Sequence, residues 1–323
     1  MAEEVRKIKE KYEDQLLAIP GVTGVGYNGS INVYVEKITP QISAFIPKQV
    51  DGTKVHVHET GGKFRLLSLI PVAATYSDRV ERVRPAPGGV SVGHPEVTAG
   101  TLTCRARDIK TDEILGLSNN HVIALNWGTK RVGDEGDPTL QPGVYDGGTV
   151  SKDTLGSLGR WETVELEKNN LIDAAVFYSD ELSKNIEEIG EPDKLVEPYV
   201  GMKVIKSGRS SGITYGEIID VNATVDIEGS GICRFINQII IKPAMIVPGD
   251  SGSWIGEVDS YRSTALGFAG SSLLSVASRM SDVERLLGIE VIPPLEYISL
   301  AGTMTPLALG AIVANFGGKR NGR

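Results

Sequence analysis

"IVPGDSGSWIG", residues 246–256, sets the terms for reading this chain. Gly249, Asp250, Ser251 and Gly252 are turn formers with little to give a core, yet apolar runs flank them, "INQIIIKPAMIV" before and "WIG" after. A polar elbow between buried strands is costly unless its backbone shape is needed. The glycines let the chain turn tightly, so the amides of Gly249 and Ser251 can point into one small pocket beside the Ser251 hydroxyl. Such a serine is a nucleophile if the chain also supplies a base.

Working outward, short β-runs recur from residue 100: "TLTCRARD", "ILGLSNNHVIAL", "DAAVFYS", "KVIKSGRSSGITYGEIIDVNATVDI", "RFINQIIIK" and "TALGFAGSS". Turn residues separate them at the intervals of β-sandwiches and β-barrels. "MSDVERLLG" predicts a closing helix capped by Ser281, with Glu284 three residues on. At the other end, Val5, Ile8, Tyr12, Leu16 and Leu17 form a helical stripe that Pro20 and Gly21 stop. Two β-runs then meet around Asn28-Gly29, a hairpin signal, and "KVHVHET" and "KFRLLSL" follow. Residues 1–75 thus read as a small α+β module, 76–99 as a proline- and glycine-rich linker or ordered loop, 100–290 as a β domain and 291–323 as a tail.

Composition narrows the function. A net charge of −8 argues against a general nucleic-acid surface. Cys104 and Cys233 lie far apart and suggest no disulfide framework. The charged N-terminal helix has no apolar signal core, so a cytoplasmic location is expected. Residues 298–316 are uncharged and long enough to cross a bilayer, but Pro306 and several polar residues favour a docked tail, leaving membrane contact as the minority expectation. "GVTGVG" lacks the strand–turn–helix context of a dinucleotide loop, and no cofactor is expected.

The histidines are His56, His58, His94 and His121. His56 and His58 alternate along one strand and read as a solvated face rather than a metal site. His94 precedes Pro95 and reads as a loop residue. His121 stands where an apolar strand reaches a polar corner, rigid yet able to face a cleft. An acid must then orient the imidazole. Asp173 heads a short apolar strand and needs a partner, whereas Asp180 lies beyond that strand and reads as exposed.

"LSNNHVIA", "IDAAV" and "PGDSGSWI", in that order, resemble the histidine, aspartate and nucleophile segments of HtrA-type and other bacterial members of the chymotrypsin-like superfamily. "RPAPGGVSVGHPEVTAGTL", "LQPGVYDGG" and "GRSSGITYGEI" resemble an uncharacterised bacterial trypsin-like group. The resemblance implies a mainly β fold, two packed antiparallel β-barrels after a small α+β module, with His121 and Asp173 from the first barrel and Ser251 from the second. It implies a serine endopeptidase acting on protein or peptide substrates, with Gly249 and Ser251 amides holding the oxyanion. A catalytically silent scaffold and a self-processing protease are the alternatives. Met245 would lie at the base of the specificity pocket, and Phe268, Ala269 and Gly270 would form an apolar wall suited to a small or medium apolar residue. Two departures matter: no cysteine accompanies His121 or Ser251, and Asp250 must find a partner other than a freed N-terminus.

Overall fold

The stripe of Val5, Ile8, Tyr12 and Leu16 becomes the packed face of helix Ala2–Leu17 in the computed structural model, which describes residues 2–67 and 72–291. Strands Val22–Tyr27 and Ile31–Val35 form the expected hairpin, with Gly29 at φ +69 in its turn. Ile31–Val35 then pairs in parallel with Thr53–Glu59.

The protein is mainly β, with two β units following this α+β start. In the C-terminal unit, strands Lys203–Gly208, Gly212–Gly229, Gly231–Lys242, Ser275–Arg279, Ser263–Gly270 and Trp254–Glu257 each pair antiparallel with the next. The last returns to the first, so the ring closes into a barrel with no free edge. Val204, Ile218, Ile239, Ile255, Ala265 and Ala277, one from each strand, fill it. The other unit is a six-stranded antiparallel sheet in the order Pro138–Leu140, Thr154–Trp161, Ala175–Tyr178, Ile114–Ser118, Cys104–Asp108, Ile289–Glu290. Its Leu115, Leu117 and Val176 meet Ile205, Trp254 and Leu266 of the barrel in one apolar cluster, which joins the two units.

The N-terminal segment is fused to the barrel rather than set apart from it. Val22–Tyr27 extends the sheet along Gly212–Gly229, with Gly24 opposite Val225. Asn32 and Tyr34 donate to the buried Asp220 carboxylate at 2.8 and 3.0 Å. Burial pushes that carboxyl above the usual range, and these donors oppose the rise. Residues 76–99 are also packed in: Ala86–Gly88 pairs with Leu182–Ile186, and Ser91–Val92 with Gly100–Thr101.

One local expectation fails. Helix Met280–Leu287 runs directly out of strand Ser275–Arg279, so Arg279 takes the capping position and Ser281 falls inside the first turn. Glu284 instead accepts the Val291 amide at 2.8 Å. The apolar stretch 298–316 lies outside the described residues; among those described, no helix is long and apolar enough to cross a membrane.

Candidate active site

Strand Ile114–Ser118 ends at the polar corner Asn119-Asn120, and the short helix Asn120–Ile123 starts there, carrying His121. The corner is held from three sides. Asn120 donates to the carbonyls of Asn126 (2.8 Å) and Glu162 (3.0 Å), and its own carbonyl oxygen accepts the Asn126 amide at 2.9 Å. Asn119 donates to the backbone carbonyl of Asp173 at 2.6 Å. Asp173 sits two residues before strand Ala175–Tyr178, and its carboxylate accepts twice from His121: from the backbone amide at 3.1 Å and from ring Nδ1. With Nδ1 fixed to the acid, Nε2 faces the other way. The edge of the His121 ring meets Trp127, centroids 6.0 Å apart at 89°, and Trp127 stacks on Phe235. Among the described residues, the buried His121 Nε2 has no hydrogen-bond partner. Buried polar nitrogens are rarely left so.

The elbow of residues 246–256 is built from the other unit. Gly249 and Gly252 adopt φ +96 and +94, which a side chain would resist. A Cβ on Gly252 would lie 2.1 Å from the Thr101 carbonyl, so only glycine admits this approach of the two units. Ser251's carbonyl accepts the Thr101 amide at 2.7 Å and Gly252's accepts the Thr103 hydroxyl at 2.6 Å, fastening the elbow to the first unit. Val122, the neighbour of His121, and the Ser251 carbonyl both press on Gly100. His121, Asp173 and Ser251 are each fully buried.

Asp250, left without a partner by the sequence, finds Lys206. The ammonium and carboxylate lie 2.9 Å apart, both fully buried. Lys206 also donates to Ser211 Oγ (2.6 Å) and the Gly212 carbonyl (3.1 Å). The carboxylate further accepts the amides of Ser210 (2.8 Å), Ser211 (3.1 Å) and Val247 (3.1 Å) and the Ser211 hydroxyl at 2.5 Å. Burial pulls the Lys206 ammonium below the usual lysine range, against the attraction of Asp250.

The Ser251 hydroxyl does not donate to His121. It donates to the Phe268 carbonyl at 3.1 Å. The Gly249 amide, expected to face an oxyanion, donates to the carbonyl of Leu67 at 2.5 Å. Among the described residues the Ser251 amide has no acceptor. Met245 is buried, its amide held by Ser275 Oγ at 2.9 Å, and Leu67 packs against the cluster that contains it. Phe268, Ala269 and Gly270 are buried in strand Ser263–Gly270, because strand Phe64–Leu66 pairs alongside and covers them.

Sequence reasoning missed Asn119, Asn120, Lys206 and Trp127, and read the strand Phe64–Leu66 without its place beside strand Ser263–Gly270. The other histidines stand apart from this site: His56 is exposed, His58 stacks on Tyr34, and His94 is buried against Asp137 at 3.2 Å. Among the described residues no group of three His, Cys, Asp or Glu side chains could hold a metal ion. Cys104 and Cys233 are buried free thiols.

No family model matches the chain, and no curated relative does. The solved structures that resemble it are chymotrypsin-like serine proteases. A chymotrypsin from Cellulomonas bogoriensis is 14% identical at a TM-score of 0.44, covering 64% of this chain and 98% of its own. A glutamic acid-specific serine protease that uses a histidine triad in substrate binding is 15% identical at 0.46, covering 64% and 100%. A Nocardiopsis protease is 14% identical at 0.45, covering 64% and 97%.

Proposed function

We propose that the chain is a serine endopeptidase that cuts peptide bonds through an acyl-enzyme. Ser251 Oγ attacks the carbonyl carbon, His121 Nε2 takes its proton and later passes it to the leaving amine, and Asp173 holds the ring and supports its charged form. The amide of Gly249, with that of Ser251, receives the developing oxyanion; losing one such donor costs about 3–4 kcal/mol of barrier. The observation that supports this reading is the buried Nε2 of His121, unpartnered among the described residues, whose opposite nitrogen is locked onto Asp173. A group left empty at that cost is a base waiting for a proton. On this reading the Ser251 hydroxyl exchanges the Phe268 carbonyl for the imidazole when it reacts.

The bond to Phe268 also favours a second reading, a protease scaffold whose serine is silent. A fluorophosphonate probe separates the two. The Phe64→Asp/Leu66→Asp variant, in which the covering strand is expelled, is labelled on Ser251; adding Ser251→Ala removes the label while elution and circular dichroism stay unchanged. Equal labelling with and without Ser251, or none in either, defeats the endopeptidase reading.

A further inference from the structure

Strand Phe64–Leu66 lies on the barrel as a bound peptide would. It is wedged between Gly212–Gly229, with which it runs parallel, and Ser263–Gly270, with which it runs antiparallel. The antiparallel register sets Arg65 opposite Gly270 and Leu66 opposite Ala269. The neighbour of Ala269, Phe268, holds the Ser251 hydroxyl on its carbonyl. Leu67 follows the strand, and its own carbonyl accepts the Gly249 amide at 2.5 Å. On the endopeptidase reading that amide receives the carbonyl oxygen under attack, so Leu67 stands where the carbonyl-bearing residue of a substrate would stand.

Each side chain of this segment meets a feature of the barrel that suits it. Leu67 packs on the cluster that contains Met245 and Ile246, and a Cβ on Gly270 would come within 3.2 Å of it. Leu66 is buried in a cluster with Trp127, Phe235 and Phe268, and a Cβ on Gly229 would lie 2.7 Å from it. Glycine at both positions leaves the space that leucine side chains fill. Phe64 is buried in the same cluster as Leu66. Between these two, Arg65 turns outward, and the parallel register sets it opposite Glu228. The Glu228 carboxylate accepts from Lys63 at 2.5 Å and from Arg65 at 3.0 Å. In a peptide added to a sheet, backbone pairing supplies affinity and the side chains supply selectivity.

Resting on the endopeptidase reading, we propose that Phe64–Leu67 is held in the manner of a substrate and so names the class of peptide the site takes. That class is an extended segment reading, from its N-terminal side, an aromatic residue, a basic residue and two leucines, the last bearing the carbonyl that Ser251 attacks. Glu228 is the specificity-determining residue for the basic position. A visiting peptide takes the place of Phe64–Leu67, pairs antiparallel with Ser263–Gly270 and presents its cation to Glu228. An acidic side chain at that position would face Glu228 like to like, which is destabilising for residues opposite each other on paired strands. A charge at the last position would be buried against Met245 and Ile246, where nothing apolar repays its lost hydration.

The test gives the full chain carrying Phe64→Asp/Leu66→Asp, its groove cleared, a set of peptide amides that release aminomethylcoumarin. Phe-Arg-Leu-Leu is hydrolysed with a kcat/KM roughly 100-fold or more above that of Phe-Arg-Leu-Asp. Its advantage over Phe-Glu-Leu-Leu is roughly fivefold, the worth of an exposed ion pair. Adding Glu228→Lys reverses that second order and makes Phe-Glu-Leu-Leu the better substrate, whereas a residue that only supported the fold would slow both peptides alike. If Phe64→Asp/Leu66→Asp does not fold, Lys63→Gln/Arg65→Gln, altered only at exposed side chains, loosens the strand by removing both ion pairs and is read by the same ratios. Equal rates at the basic position, an order that Glu228→Lys leaves unchanged, or a better residue than leucine at the last position overturns the proposal. Fluorophosphonate labelling of Ser251 in that same variant leaves the endopeptidase standing. A folded variant that is neither labelled nor active on any of the peptides ends both.

Discussion

Each β unit carries a fully buried acid–base pair, His121–Asp173 in one and Lys206–Asp250 in the other, and the two are finished to different degrees. Lys206–Asp250 is complete: the ammonium has three acceptors and the carboxylate adds three amides and a hydroxyl. Among the described residues, His121–Asp173 is open at Nε2. A saturated pair can only hold shape, since any change of charge breaks several bonds at once. An open one can take a proton without dismantling its surroundings. The first fastens the elbow of residues 246–256 to strand Lys203–Gly208; on the endopeptidase reading, the second offers its serine a base.

That contrast can be broken at several points, the chemical pair first. Asp173→Asn keeps the fold but lets the imidazole take the wrong tautomer, and peptide hydrolysis falls by about 10⁴-fold. A drop under tenfold in kcat would mean that the open pair is no more chemical than the closed one. Lys206→Met should act on stability instead. It leaves Asp250 as an uncompensated buried charge and costs about 3–5 kcal/mol, read from the urea midpoint. Adding Asp250→Asn to that variant removes the stranded charge and recovers part of the loss; a double variant whose loss equals the sum of the two singles would show that the pair is not one unit. The smallest effect sharpens the contrast from outside it. Burial pushes the Cys233 thiol up to about 11 and Cys104 higher still, so neither is a nucleophile at neutral pH. A thiol reagent should modify neither in the folded protein and both after unfolding. Fast native labelling of Cys233, which packs in the cluster that holds Trp127, would mean that the wall beside His121 opens.

The sequence carried the residues that punctuate strands better than those that join them. His121, Asp173 and Ser251 each interrupt an apolar run, and a polar residue at such a break is visible without coordinates. Gly249 and Gly252 likewise announced a backbone that only glycine adopts readily. Lys206 was hidden because a lysine in "KVIKSG" reads as a solvent-facing residue, and only its pairing with a residue 44 positions away explains its burial. Phe64–Leu66 was legible as a strand but not as an intruder. Its partners lie in Gly212–Gly229 and Ser263–Gly270, and strand pairing across such distances leaves no period in the chain. The closing helix shows the same limit in miniature, since Ser281 had the right chemistry for a cap but the helix already begins at Met280, with Arg279 in the capping position.

The placement of Phe64–Leu66 has a consequence for any visiting peptide. A ligand tethered close to its own receptor acts at an effective concentration on the order of millimolar, whatever the dilution of the protein. On the endopeptidase reading, an outside peptide of equal intrinsic affinity must reach that level to displace it, so the concentration that half-saturates turnover should be raised while the curve stays hyperbolic. Loosening the ion pairs of Lys63 and Arg65 with Glu228 should lower that concentration without touching a reacting atom.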